Sequence, residues 1–196
     1  MGTRDQILEA AIGLFARHGY TSTTVAQIEE AAGLSPGSGG LYRHFPSKRA
    51  LLESTIDWAE QRVNGPGVVD DRLFKIDEPA VALRAIAEVS LQAFRGSSDF
   101  YLMLFRFGDD TPIDRQDVVR RLSTVGHERL AGWLEMVART GTFRALDDYP
   151  AAAALMLASL GWYHYAQPLT GDTLGGVSEE AFVNEWVDAQ LRYLKP

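Results

Sequence analysis

The chain has 196 residues, 46% hydrophobic and 23% charged, with a formal net charge of −7. That length suffices for one or two small domains with proper cores. The absence of cysteine excludes disulfides, thiolate metal sites and cysteine nucleophiles, and no apolar run reaches the ~20 residues a membrane span requires.

The first predicted element is a helix, because Ile7, Leu8, Ala11, Leu14 and Phe15 recur at helical spacing. No apolar stretch follows Met1-Gly2-Thr3-Arg4-Asp5, so a secretory leader is not expected and the expected location is cytoplasmic. Next comes a short helix with Ala26, Ile28, Ala31 and Ala32 on its inner side. Gly33 stands where that helix must stop and can take a left-handed conformation at little steric cost. Leu34 is expected to pack beneath the turn. Ser35 is a good N-cap and Pro36 suits the first position of a second helix. Leu41 and Phe45 lie four apart and share one face, which anchors that helix and leaves Tyr42, Arg43 and His44 to reach outward. A third helix is entered through Phe45-Pro46-Ser47-Lys48, continues to Val63 and ends at Asn64-Gly65-Pro66-Gly67. Two short helices joined by a glycine turn are the outline of a helix-turn-helix, which sets its second helix in the DNA major groove.

Thr23-Thr24-Val25, Ile28, Ala31-Ala32-Gly33-Leu34-Ser35 and the run Leu41-Tyr42-x-His44-Phe45-x-Ser47-Lys48-x-x-Leu51 resemble the DNA-binding domain of the TetR family of repressors. The upstream stripe and Arg17-His18-Gly19-Tyr20 agree, so the likeness covers roughly residues 4–52, about a quarter of the chain. The resemblance implies an all-α protein, with a helix-turn-helix domain in residues 1–48 and a helical ligand-binding and dimerisation domain in 49–196. It implies phosphate contacts by Tyr42, His44 and Lys48, and a DNA-facing surface completed by Thr23, Thr24, Ser35, Pro36, Gly37, Ser38, Gly39 and Arg43. Arg43 has the fork geometry to read a guanine, or to hold a phosphate. Thr23 or Thr24 is expected to cap a helix as well.

One stretch departs from the family pattern. Many members read Ser-x-Gly-Thr-Leu-Tyr, whereas Ser35-Pro36-Gly37-Ser38-Gly39-Gly40-Leu41-Tyr42 is two residues longer and carries three glycines. Each glycine inside a helix costs roughly 1 kcal/mol relative to alanine. The second helix is therefore expected to start poorly ordered, or at Ser38 as an alternative cap, and to firm up on DNA.

Residues 1–49 carry five basic and four acidic side chains, and the remainder 14 and 22. An acidic body with a near-neutral head places DNA affinity on a few contacts, helix N-termini and dimerisation rather than on a broad basic field.

Beyond the head, helices are predicted throughout. One spans 79–95, followed by a turn at Gly96-Ser97-Ser98-Asp99, and a short apolar helix over 100–107 closes at Gly108-Asp109-Asp110-Thr111-Pro112. A long helix runs from about Asp114 to Thr140, and a nearly uncharged one covers Tyr149–Gln167. A glycine-rich loop, Pro168–Val177, precedes a last helix with Phe182, Trp186, Gln190 and Tyr193 on one stripe and Val183, Val187, Leu191 and Leu194 beside it.

That last stripe is wider than one intramolecular contact needs, which suggests association. Leu155, Ala158, Phe182, Val183, Trp186, Val187, Gln190 and Leu194 are the expected homodimer surface, and the resemblance implies a four-helix interface. Two heads on a two-fold axis meet successive major grooves ~34 Å apart, hence a pseudo-palindromic operator in double-stranded DNA. The resemblance also implies a small-molecule effector held among the middle helices. Phe105, Arg106, His127, Trp133, Met136, Trp162 and Tyr163 are its candidate lining, although aromatics at helical spacing usually pack as core.

Enzyme readings find little support. Asp70-Asp71, Asp109-Asp110 and Asp147-Asp148 lie at turns, where capping explains them. The four histidines form no metal-binding pattern, and neither a phosphate-binding glycine motif nor a nucleophile elbow is present. No cofactor, metal site or membrane association is expected. The remaining alternative is a helical small-molecule-binding or scaffold protein with a vestigial head.

Overall fold

The computed structural model of the chain describes residues 2–64, 78–107 and 112–196, without the side chains of 63, 64, 106 and 107. The sequence expectations at Gly65-Pro66-Gly67, Asp70-Asp71 and Gly108–Thr111, and the Arg106 side chain, lie outside the described residues.

Among the described residues all regular structure is helical. The α-helices are α1 (Thr3–His18), α2 (Val25–Ala31), α3 (Lys48–Asn64), α4 (Pro79–Phe107), α5 (Arg115–Arg139), α6 (Tyr149–Thr170) and α7 (Glu179–Leu194). Short 3₁₀ turns stand at Leu41–Arg43 and Leu174–Gly176. The chain divides by packing into two compact units: Met1–Arg62 with Ser97–Arg121, and Val63–Gly96 with Leu122–Pro196.

In the first unit the predicted stripe of α1 is buried: Ile7, Leu8, Ala11, Leu14 and Phe15 all lie inside, with Ile28, Leu41, Phe45, Leu51 and Leu52. Burying side chains of this size stabilises the unit by roughly 1.5–3 kcal/mol each, before entropy. Helix α3 is capped by Ser47, whose hydroxyl accepts from the Ala50 amide at 3.0 Å. It is tied to the start of α5 by Arg121, which donates to Asp57 at 2.9 Å and also engages Glu60. The two carboxylates raise the Arg121 pKa through hydrogen bonds.

In the second unit Leu83, Ile86, Leu91, Leu130, Trp133, Leu134, Met156, Leu160, Val183, Trp186 and Val187 belong to one core. Trp133 meets Phe143 edge-on at 5.7 Å, and Tyr163 stacks on Phe182 at 4.0 Å.

Two predicted boundaries are corrected. The turn at Gly96-Ser97-Ser98-Asp99 does not form, and α4 continues through it to Phe107. Helix propensity is a weak prior that burial overrides: Ser97 is only 2% exposed, and Phe100, Leu102, Met103 and Leu104 beyond it are buried. Helix α6 likewise passes Pro168, which falls in its last turn, and stops at Gly171. That glycine holds φ 86°, and its amide donates to the Gln167 carbonyl at 2.8 Å. This left-handed cap fixes the true end.

Candidate nucleic-acid interface

The entry to α2 is built by Thr24, as one of the two predicted options had it. Its hydroxyl accepts from the Gln27 amide at 3.2 Å, while the Gln27 side chain accepts from the Thr24 amide at 2.8 Å. This reciprocal box satisfies two orphan donors at the helix start. Thr23 has a different place. It is buried, and its hydroxyl donates to the Gly19 carbonyl at 2.8 Å, which ties the end of α1 to the start of α2.

Helix α2 does not turn its alanines inward as predicted. Ala26 and Ala31 are exposed, and the inner positions are held by Ile28 and Glu29, both 0% exposed. A buried carboxylate needs hydrogen-bond donors. Glu29 has two: Oε2 accepts from the Gly37 amide at 2.7 Å and Oε1 from the Leu41 amide at 3.0 Å.

Those donors belong to the lengthened glycine stretch, where the second helix was expected. No helix begins at Ser35-Pro36, nor at Ser38. Gly37 and Gly39 hold φ of 75° and 72°, a left-handed backbone that an α-helix cannot contain. The Ser38 amide closes a turn on the Ser35 carbonyl at 3.2 Å, with Pro36-Gly37 at its corner. Proline followed by a positive-φ glycine is the pairing a type II turn prefers. Only the 3₁₀ turn Leu41–Arg43 remains helical, closed by the His44 amide on the Leu41 carbonyl at 2.9 Å. Leu41 and Phe45 are buried as predicted and fix this turn to the core.

The outward side carries the predicted polar set. Tyr42 is 53% exposed, and Arg43, His44, Ser35, Pro36, Gly37 and Ser38 are exposed beside it, with Gly39 half-buried. Lys48 opens α3 at its positive end. Its ammonium sits 4.3 Å over the Tyr20 ring and donates to the Thr21 carbonyl at 3.5 Å, and partial burial lowers its pKa. Two residues that pack against this set were missed from the sequence. Arg4 lies over the Phe45 ring at 5.1 Å on an exposed start of α1. Glu29 is the other, and its only sequence signal is an acidic residue beside Ile28 on an apolar face that precedes an overlong glycine run.

Val183, Trp186, Val187 and Leu194, expected at a dimer surface, are buried within the chain itself. The Trp186 indole donates to the Ser159 hydroxyl at 3.0 Å, so this stripe of α7 faces α6 of the same chain. Phe182 and Gln190 are half-buried, whereas Leu155 is 65% exposed and Ala158 is exposed beside it. Hydrophobic period alone does not say whether the partner is internal. Of the predicted ligand lining, Trp133 is core and Tyr163 is committed, its hydroxyl donating to the Val177 carbonyl at 2.9 Å. His127 Nδ1 lies 2.6 Å from the Ser123 carbonyl of its own helix. Phe105, Met136 and Trp162 are exposed.

Residues 7–55 match the profile of the bacterial regulatory proteins of the tetR family. The HTH-type transcriptional repressor KstR2 of Rhodococcus jostii (strain RHA1) is 27% identical over 188 residues, covering 88% of this chain and 85% of that protein. A solved TetR family transcriptional regulator, PfmR from Thermus thermophilus, aligns with a TM-score of 0.65 at 26% identity, over 95% of this chain and 97% of that one. AibR, solved with isovaleryl coenzyme A and operator DNA, aligns with a TM-score of 0.64 at 19% identity over 100% and 99% of the two chains.

Proposed function

We propose that the chain is a member of the TetR family of bacterial transcriptional regulators, and that it is a ligand-responsive repressor acting as a cytoplasmic homodimer on a pseudo-palindromic operator. Residues 1–48 are the reading head, and 49–196 the ligand-binding and dimerisation domain. The observation that carries this reading is the exposed set Tyr42, Arg43 and His44, with the half-buried Lys48 beside it, mounted on the buried Leu41 and Phe45 at the helix-turn-helix. Tyr42, His44 and Lys48 hold phosphates, and Arg43 faces base edges or backbone. Ser35, Pro36, Gly37, Ser38 and Gly39 bring backbone close to the duplex, Thr24 supports α2 at its rim, and Thr23 supports the surface from within.

The second copy docks on the outward side of α6. Leu155, Ala158 and Trp162 are exposed at helical spacing there, and Leu155 and Trp162 are 65% and 57% exposed. An apolar strip of this kind is unfavourable in water and favours association. The effector is a small molecule held in the helical body. It acts by preferring one arrangement of the middle helices and changing the separation of the two heads. It shifts the equilibrium only by its differential affinity for the two arrangements. The AibR complex, which holds both an acyl-CoA and operator DNA, supports this combination of partners.

The deciding experiment is a mobility shift on the DNA upstream of the chain's own gene, with the unaltered protein and with Tyr42→Ala. Retarded DNA that is lost with Tyr42→Ala is the expected result. No retardation at low ionic strength would leave a helical binding protein with a vestigial head as the better reading.

A further inference from the structure

Glu29 occupies the inner side of α2 with no exposed surface. In an α-helix entered at Pro36, the Leu41 amide would bond the Gly37 carbonyl four residues back. Here the positive φ at Gly37 and Gly39 removes that option. The acceptor comes instead from twelve residues upstream: Glu29 Oε1 receives the Leu41 amide at 3.0 Å. Its Oε2 receives the Gly37 amide at 2.7 Å, so one carboxylate grips both ends of the inserted glycine stretch. Hydrogen bonds to an ionised acceptor are shorter and roughly twice as strong as neutral ones. Three glycines in five residues would otherwise leave this stretch with a large conformational entropy to lose on binding.

We propose that Glu29 is the positioning residue of the reading surface: its buried carboxylate replaces the first turn of a second helix and holds Gly37–Leu41 in its DNA-competent shape before DNA arrives. This rests on the reading of residues 1–48 as a DNA head. It replaces the expectation that the stretch folds only on the duplex. It also means that the Gly37 and Leu41 amides are occupied from inside and are not offered to phosphate. Sequence selectivity then depends on a residue that never touches DNA.

The test has two arms on the full-length protein. In the first, amide exchange is followed in the unaltered protein without DNA. The Gly37 and Leu41 amides are expected to exchange at least roughly 100-fold more slowly than an unstructured chain, and rates near those of an unstructured chain would overturn the proposal. In the second arm, Glu29→Gln and Glu29→Ala are titrated against two duplexes: one enriched from a random pool with the unaltered protein, and one of arbitrary mixed sequence. Both variants should lose preference for the enriched duplex, by about tenfold for Glu29→Gln, which keeps one carbonyl acceptor, and by more for Glu29→Ala. Binding to the mixed duplex should hold within about twofold, because the phosphate-facing cations are unchanged. A role in stability alone would lower the melting temperature and leave that preference intact in the folded fraction, which overturns the proposal. Should Glu29→Ala fail to fold, Glu29→Gln and the exchange arm decide. An unaltered protein that enriches no duplex while both amides stay protected removes the DNA reading, and the proposal with it, and leaves Glu29 as a loop anchor only.

Discussion

The Glu29 carboxylate and the Leu41 amide, twelve residues apart in the chain, meet at 3.0 Å. That bond stands where a helix would have closed one between Leu41 and Gly37, and it makes the glycine stretch a defined loop rather than a frayed helix. Its neighbours differ in what they tolerate.

Gly37 and Gly39 hold φ of 75° and 72°, whereas Gly40 sits at φ −57°, ψ −37°. A side chain at a left-handed position costs about 1–2 kcal/mol. Gly37→Ala and Gly39→Ala are therefore expected to destabilise the protein by about that much. Gly40→Ala places its methyl 3.4 Å from a Leu34 methyl, an ordinary contact. It should be neutral or stabilising by up to about 1 kcal/mol, because it restricts the unfolded chain. Urea unfolding of the three variants checks the ordering, and a Gly40→Ala loss as large as that of Gly37→Ala would contradict the loop geometry.

The apolar residues of the last two helices should separate into two classes. Trp186 is buried and bonded to Ser159. Trp186→Ala should cost about 3–5 kcal/mol of folding stability. Leu155→Glu and Trp162→Glu fall on exposed positions. They should leave the far-ultraviolet circular dichroism unchanged while shifting sedimentation from dimer to monomer. A Leu155→Glu, Trp162→Glu protein that remains dimeric would place the interface elsewhere.

Lys48→Ala should weaken binding to all duplexes alike and lower the slope of log affinity against log salt by about 1, as loss of one phosphate contact does. The ammonium is held over the Tyr20 ring at the start of α3. A change in sequence preference with an unchanged salt slope would assign Lys48 to base readout instead.

His164 stacks beside Phe94 at 6.5 Å, and burial, then the nearby Arg95, hold its pKa below the ordinary 6.5, with Glu179 opposing. The unfolded chain therefore binds the proton more readily than the folded one. Stability should fall as pH drops through 6.5 and level off below the depressed folded value. The melting temperature of His164→Gln should lose this part of its pH dependence. An identical slope in both proteins would show that His164 does not couple to folding.

Much of this protein was legible in the chain itself. The stripe from Ile7 to Phe15, a cap at Thr23 or Thr24, the Gly33 stop and the Leu41–Phe45 anchor follow from local rules of spacing, capping and backbone freedom. Each acts within a few residues, so one sequence suffices to read it. The outward position of Tyr42, Arg43 and His44 was legible for the same reason: anchoring residues at helical spacing determine which neighbours are left pointing outward.

Tertiary structure decided the rest, because those features depend on partners distant in the chain. Burial carried α4 through Gly96–Asp99 against local propensity. Packing on α6 turned Val183, Trp186 and Val187 into core and left Leu155 and Trp162 outside. The glycine stretch could be read as unfit for a helix, but its shape depends on a carboxylate on α2. Hydrophobic period marks a buried face without naming what buries it, and Glu29 became an anchor only when folding removed it from water and left the Gly37 and Leu41 amides as its donors.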